Sequence, residues 1–392
     1  MTASPRAPSH RALVGTRGSH SVLATGLALT AAAAGALAGA ASTATVPREA
    51  TVERRLYLMG TEVTLAVTAG DRPAALVAAE RAVVALERSE DRLSTWRPGS
   101  ELSRLNRAPV GDPVPLSAAL ADELVAAFAC AEATGGAFDP AIGALVHLWD
   151  LRGRGRIPAL AEVAAALPAT RPAALELRRA TAIRRHPALR LEEGAWGKGA
   201  GLDAALAAVA SAPGVTSAEL DLGGQAGVLG TTRWTATLAD PDERARPVAA
   251  LELAGGSLAT SGNSEHARRV DGRRIGHLLD PRTGAPARDF GSLTVWAPSG
   301  LLADCLSTGL FVMGPDTALA WTAAHPGVEA MVLERDGGRL RLRASAGLAG
   351  RVRALVPELT MSFGAAPGDL AASRKNEEAA GRTAWQRGPA AP

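Results

Sequence analysis

Aromatic residues make up only 3% of this chain, with a single tyrosine among them. The interior must therefore be filled by Ala, Gly, Leu and Val. Cysteine is nearly absent. Cys130 and Cys305 lie in no CxxC or other metal-ligand spacing. That argues against a cysteine-ligated metal centre and leaves two buried thiols as the expectation, with a disulfide between them open. Charge of one sign is also missing: 42 Lys and Arg oppose 39 Asp and Glu, for a net charge of +3. The two signs are interspersed without a basic block, which gives nucleic-acid binding no support. No internal repeat is present, and neither the GxxxxGK[ST] nor the GxGxxG phosphate-binding frame occurs. What remains is a chain of 392 residues, 47% hydrophobic and 21% charged, enough for a real globular core.

The first 50 residues differ from the rest. Arg6, Arg11 and Arg17 precede an uncharged run, "SVLATGLALTAAAAGALAGAASTA", with small residues such as Ala38, Ala40, Ser42 and Ala44 near its end. This is the pattern of a secretory signal peptide, with an uncleaved N-terminal membrane anchor as the alternative (residues 1–44). Either way the body is expected to be exported, at the periplasmic or extracytoplasmic face of the membrane. The stretch 365–392 is Ala, Gly, Pro and charge without periodicity, and is expected to be disordered.

Between them, Leu56–Gly70 reads as a strand, and Asp71 opens a helix with Leu76, Ala79, Val83 and Leu86 on one face. Leu93–Arg107 is polar and broken by Gly and Pro, hence a loop. Ser117 caps a second amphipathic helix that stops at Gly135–Gly136. A third helix runs from about Gly199 to Ala212. Short strands alternate with glycine turns from Val215 to Val295. Helices over Leu301–Met313 and Asp316–Ala324, then strands Val328–Glu334 and Leu340–Ala344, close the body. Helices and strands mix without a strict βαβ rhythm, so the fold class is α+β.

Several stretches carry possible chemistry. In "GKGAGLD" (Gly197–Asp203), glycines flank Lys198 at a helix start, where backbone N–H groups can face an anion. "DLGGQAGVLG" (Asp221–Gly230) permits close backbone approach to a ligand, or simply a strand–turn–strand. The small hydroxyl residues of "LATSGNSE" (Leu258–Glu265) can bond a phosphate or their own turn. In "ADCLSTGLFVMG", Asp304 and Thr308 are spaced i, i+4 on one helical face, a hard-oxygen pair suited to Mg²⁺. Trp96, in a polar loop, can stack on a flat ring. "HLLDPRTGAPA" (His277–Ala287) is a turn punctuated by Pro281 and Gly284, with a histidine at its entrance and Asp280 placed to cap its own backbone. Each stretch alone is equally ordinary turn or cap chemistry.

Their order is not ordinary. "MGT", "LSTWRPGSELSRLN", "GGAFDPAIGALVHLWDL", "GKGAGLD", "DLGG", "TSG", "HLLDPRTGAP" and "ADCLSTGLFVMG" follow one another over residues 55–335. In this the chain closely resembles the ApbE family, the FAD:protein FMN transferases. The resemblance implies one α+β domain over residues 52–355, built of two packed α+β subdomains with FAD between them. It implies an exported, Mg²⁺-dependent transferase that splits FAD. The FMN half goes through a phosphoester to Thr or Ser of an acceptor flavoprotein, and AMP is released.

Carried onto this sequence, the resemblance assigns Met59, Trp96, Ala137, Phe138, Asp139, Glu192, Lys198 and Leu278 to FAD. It assigns Asp304, Thr308 and the carbonyl of Gly197 to Mg²⁺, and makes His277 the base that takes the acceptor's proton. The chain departs from the family's usual pattern at Glu192, where aspartate is common, and at Trp196 and Gln225. Two other readings of the same residues are an FAD pyrophosphatase, with water as acceptor, and a non-catalytic flavin-binding protein of the cell envelope.

Overall fold

The structure, a computed structural model, describes residues 49–264 and 267–364. The expected signal or anchor segment and the expected C-terminal tail lie outside the described residues. The chain opens with a hairpin, β1 (Ala50–Leu58) and β2 (Thr61–Ala69). Helices α1 (Arg72–Leu93) and α2 (Glu101–Arg107), strand β3 (Pro113–Pro115), and helices α3 (Ala118–Ala133), α4 (Gly143–Leu148) and α5 (Leu160–Ala166) follow. Next come β4 (Leu175–Arg178), β5 (Thr181–Arg184), α6 (Gly197–Ala210), β6 (Val215–Leu222), β7 (Ala226–Ala239) and β8 (Pro247–Gly262). A small hairpin, β9 (Arg268–Val270) and β10 (Arg273–Ile275), leads to β11 (Gly291–Ala297), α7 (Gly300–Met313) and α8 (Pro315–Ala324). Strands β12 (Glu329–Asp336), β13 (Arg339–Ala344), β14 (Val352–Ala354) and β15 (Leu359–Phe363) complete the α+β fold.

One sheet of ten strands runs through the body in the order β1-β2-β6-β7-β8-β11-β12-β13-β15, with β14 on β8. Its ladders are antiparallel except β13–β15. The strand alternation sends side chains to two different cores. On β12, Val332 packs with the helices α3, α7 and α8, while its neighbours Met331 and Leu333 pack on the other face with β13 and β15. On β8, Ala259 and Leu258 divide in the same way. A third core lies under β2 and β6, covered by α1 and α6. Small β-sheets, β3-β5-β4 and β9-β10, stand apart from the main one.

Three local expectations need correction. Leu56–Gly70 is a hairpin rather than one strand. Met59 and Gly60 turn the chain with φ of 53° and 73°, the doubly positive geometry that two-residue hairpins require. Apolar alternation continues through this turn, so no polar break marks it. Leu93–Arg107 is only half loop. Ser100 accepts from the N–H of Ser103 and caps α2, whose Leu102 and Leu105 are fully buried. The cysteines are not thiols. Cys130 on α3 and Cys305 on α7 form a disulfide with Cα atoms 6.4 Å apart, and both are buried. The caps at Asp71 and Ser117 are as expected, each accepting from the N–H three residues on.

The disulfide closes a loop of 175 residues onto the helix that carries Asp304 and Thr308. Replacing both cysteines with alanine should keep the fold and lower the unfolding free energy by about 2–5 kcal/mol. Denaturant titration followed by circular dichroism measures this. An unchanged midpoint would remove the cross-link from the account of stability.

Candidate functional site

The site is built where α6 and α7 cross. Gly199 lies so close to Gly300 that a Cβ on it would stand 2.2 Å from the carbonyl oxygen of Gly300. The two helix starts are then fastened to each other. Asp203 of α6 accepts from the N–H of Gly300 (2.5 Å) and of Leu301 (2.9 Å), capping α7 from outside it. Gln225 is buried and donates Nε2 to the carbonyl of Gly300 at 2.9 Å. In return, Asp304 on α7 accepts the N–H of Gly199 at 3.1 Å through Oδ2.

Asp304 is thus a buried carboxylate at the N-terminus of α6. Burial pushes its pKa up, opposed by the charge of Lys198 and by the Gly199 N–H. One turn on, Thr308 Oγ1 lies 3.2 Å from Ser261 Oγ at the end of β8, and Ser261 also meets Ser307 at 2.9 Å. The "TSG" and "ADCLSTG" stretches are therefore one cluster. Gly197 is the first residue of α6, so the carbonyl expected to bind metal is the one the helix ladder takes up. The Gly199 N–H turns to Asp304 instead of back toward the carbonyl of Ala195. Ala195 is the residue whose carbonyl stands outside the ladder at this spot. Among the described residues no cluster of three His, Cys, Asp or Glu occurs, so an ion here relies on hydroxyl and carbonyl oxygens beside Asp304.

Met59 approaches α6 from the hairpin turn. Its Sδ occupies the space a Cβ on Gly201 would need, 2.5 Å away. A positive φ at a non-glycine residue is uncommon, and here it aims the methionine at the helix that bears Lys198. Ala137 and Phe138 are buried, and their N–H groups both turn back to Thr134, donating to its carbonyl and its hydroxyl at 3.2 Å. Asp139 accepts the N–H of Ala141 at 2.7 Å, and burial raises its pKa to about 6 despite the charge of Arg171. The carbonyl of Pro140 accepts the N–H of Glu192 at 2.8 Å, which ties this segment to the approach of α6.

Glu192 and Trp96 share a partner that the sequence reading missed, Arg152. Its guanidinium lies 4.3 Å from the Trp96 ring centre and donates to Thr95 and to Glu192. Glu193 lies 3.8 Å from the same group and accepts from Thr95 Oγ1 at 2.5 Å. Burial, then the neighbouring Glu193, hold the Glu192 pKa above the usual carboxylate range, and Arg152 works against both. A cavity of about 620 Å³ opens beside this corner, lined by Thr95, Arg152 and Glu192 and by Asn106, Arg184 and Arg190 opposite. Asp304, Thr308 and His277 do not line it.

His277 is half-buried at the entrance of the turn. Its N–H donates to Oδ1 of Asn263 at 3.1 Å, and the Leu278 N–H reaches the same oxygen at 3.4 Å. Asn263 is buried, and its Nδ2 has no partner among the described residues. Gly276 makes the room, since a Cβ there would stand 2.7 Å from the Asn263 amide. Asn263 sits two residues after Ser261, so the end of β8 joins His277 to Thr308. Asp280 caps its own turn as expected, accepting from the N–H of Arg282 at 2.9 Å. Trp149 Nε1 locks the far side through the carbonyl of Gly284 at 2.8 Å. Leu278 is buried, with its carbonyl accepting from Ala287.

Asn263, Asp203, Gln225 and Arg152 thus join the expected residues. The first three stand inside the quoted stretches, but only the fold shows what they hold. Comparison with known proteins places the chain in a family. A protein of Treponema pallidum described as FAD:protein FMN transferase is 33% identical over 308 residues, covering 72% of this chain and 84% of its own. The crystal structure of the ApbE protein of Thermotoga maritima superposes with a TM-score of 0.68 at 28% identity, covering 74% of this chain and 96% of that one. The apo flavinyl transferase ApbE of Pseudomonas stutzeri gives 0.67 at 27% identity, covering 76% and 95%. The ApbE family as a whole matches residues 59–332, and the chain belongs to it.

Proposed function

We propose that this chain is an FAD:protein FMN transferase, acting on FAD and on a threonine or serine of an exported or membrane flavoprotein. The observation that carries this reading is the joining of Lys198, Asp304, Thr308 and His277 through the α6–α7 crossing and the end of β8. The names of the T. pallidum and P. stutzeri relatives support it.

The donor set suits a hard cation: a buried carboxylate at Asp304, a hydroxyl at Thr308 and the carbonyl of Ala195. These residues would hold Mg²⁺, which when bound draws charge from the pyrophosphate oxygens of FAD. The Lys198 ammonium, at the start of α6, orients those oxygens. Trp96 and Met59 flank the flavin, while Glu192, the backbone of Ala137 and Phe138, Asp139 and Leu278 border the remainder of the dinucleotide. The His277 ring accepts the proton of the acceptor hydroxyl. The acceptor oxygen bonds to the FMN phosphorus as the bond from that phosphorus to the AMP oxygen breaks, and AMP leaves. Asn263 fixes the backbone of His277. The buried disulfide supports an oxidising, extracytoplasmic setting. This accords with the signal or anchor pattern of the first 44 residues.

Incubation with FAD, Mg²⁺ and an exported FMN-binding domain, followed by denaturing gel and in-gel flavin fluorescence, tests the reading. A fluorescent acceptor band, abolished by EDTA and by acceptor Thr→Ala, is expected. FMN and AMP without a labelled acceptor would favour the pyrophosphatase reading, and intact FAD the carrier. His277→Ala should bind FAD normally yet transfer on the order of 10²–10⁴ more slowly, the usual scale of a lost general base; transfer at the wild-type rate would remove His277 from the mechanism. Asp304→Ala should transfer no FMN at any Mg²⁺ concentration, and activity of this variant equal to wild type would refute the assignment of the cation site.

A further inference from the structure

We propose that the arginine-lined rim between Arg152 and His277 is the docking surface for the acceptor polypeptide, and that it selects a segment carrying acidic residues beside its threonine or serine. This inference rests on the transferase reading. The acceptor hydroxyl must reach His277, so whatever borders His277 toward solvent meets the acceptor. The β9–β10 hairpin ends at Ile275, two residues before His277, and its Arg274 bonds the carbonyl of Asn263, the residue that holds the His277 backbone.

The hairpin stands apart from the main sheet and turns at Asp271–Gly272 with φ of 48° and 75°. It carries Arg268, Arg269, Arg273 and Arg274 against the lone acid Asp271. Two of these arginines are anchors. Arg274 donates to the carbonyl of Asn263 at 3.0 Å and to Asp289 at 2.9 Å, beside His277. Arg268 donates to the carbonyls of Gly153 (3.1 Å) and Leu151 (3.2 Å), on the loop that holds Arg152 against Trp96. Gly155 packs against the same strand, where a Cβ would stand 3.0 Å from Arg268 and Val270. The hairpin therefore bridges the Trp96 corner and the His277 turn.

Arg269 and Arg273 anchor nothing. Neither makes an ion pair or a side-chain hydrogen bond among the described residues, and the Arg154 side chain on the adjoining loop makes none either. In the ladder Arg269 stands directly opposite Arg274, a like-charge pairing that disfavours a two-stranded ribbon. Asp289 balances Arg274, so the positive charge the hairpin keeps without an ion pair among the described residues is that of Arg269 and Arg273. The FAD pyrophosphate is already served by Lys198, at the start of α6, and by the cation site. The rim charge is left for the second substrate, and its complement is an acidic segment.

The test compares the full-length wild-type chain with R269E/R273E and R269Q/R273Q, using an acceptor domain that the wild type labels. FAD affinity is read from flavin fluorescence and kcat/KM for the acceptor from gel fluorescence across a salt series. Charge reversal should cut kcat/KM for the acceptor at least about tenfold at low salt, mainly through KM, with the Gln pair intermediate and FAD affinity unchanged. Salt should slow the wild type steeply and the reversed variant little. Neutralising the acids beside the acceptor threonine should weaken the wild type alike and add nothing to the variant's defect. An unchanged kcat/KM at low salt, or a loss of FAD affinity instead, overturns the docking assignment alone. A wild-type chain that labels no acceptor overturns the transferase reading itself.

Discussion

The contact between the backbones of Gly199 and Gly300 is the constraint on which the site depends. Two helix starts meet with no side chain between them. Each start lends polar groups to the other: Asp203 caps α7 together with that helix's own N-cap, Ser299, and Asp304 takes an N–H from α6. A buried carboxylate is costly to keep charged without a partner. Its position beside Lys198 and the α6 amides makes it a place for a cation bridging to anionic oxygens. Met59, packed over Gly201, and Gln225, bonded to Gly300, converge on the same crossing from the β1–β2 and β6–β7 turns. The disulfide from α3 holds α7 from behind.

Around that rigid crossing the other parts differ in how they are held. His277 depends on Asn263 for its backbone and on a turn locked by Trp149 and Asp280. Trp96 depends on Arg152, an exposed side chain that also serves Thr95, Glu192 and Glu193. The interior edge of the site is thus fixed by backbone contacts, and the outer edge by long charged side chains that can change partners. Such a division suits an enzyme with one small substrate and one macromolecular one. The nucleotide needs a preorganised floor, and the polypeptide an electrostatic rim.

Much of this was legible in the sequence. Helix caps at Asp71 and Ser117, the i, i+4 pair Asp304 and Thr308, and the self-capping turn at Asp280 are local, so short-range rules reach them. The hairpin at Met59 was hidden because its turn is apolar and its alternation unbroken. α2 was hidden because Pro98 and Gly99 lie just before its cap. The Gly197 carbonyl lies in the first turn of α6, and no feature of the glycine-rich stretch marks where that helix begins. Asn263, Asp203 and Gln225 bond to residues between 14 and 98 positions away, a relation that no local pattern encodes. Arg152 looked like one of several arginines in a glycine loop until the fold laid it on Trp96.

The most direct measurement is the Mg²⁺ dependence of FMN transfer by Gly199→Ala, taken together with its melting temperature. An added methyl must push α6 from α7, and overpacking of this kind typically costs about 1–3 kcal/mol. The account predicts a folded, less stable protein whose half-saturating Mg²⁺ concentration rises at least about tenfold, a cost of about 1.4 kcal/mol in cation binding. Wild-type stability and an unchanged Mg²⁺ dependence would contradict the claim that the crossing of α6 and α7 builds the site.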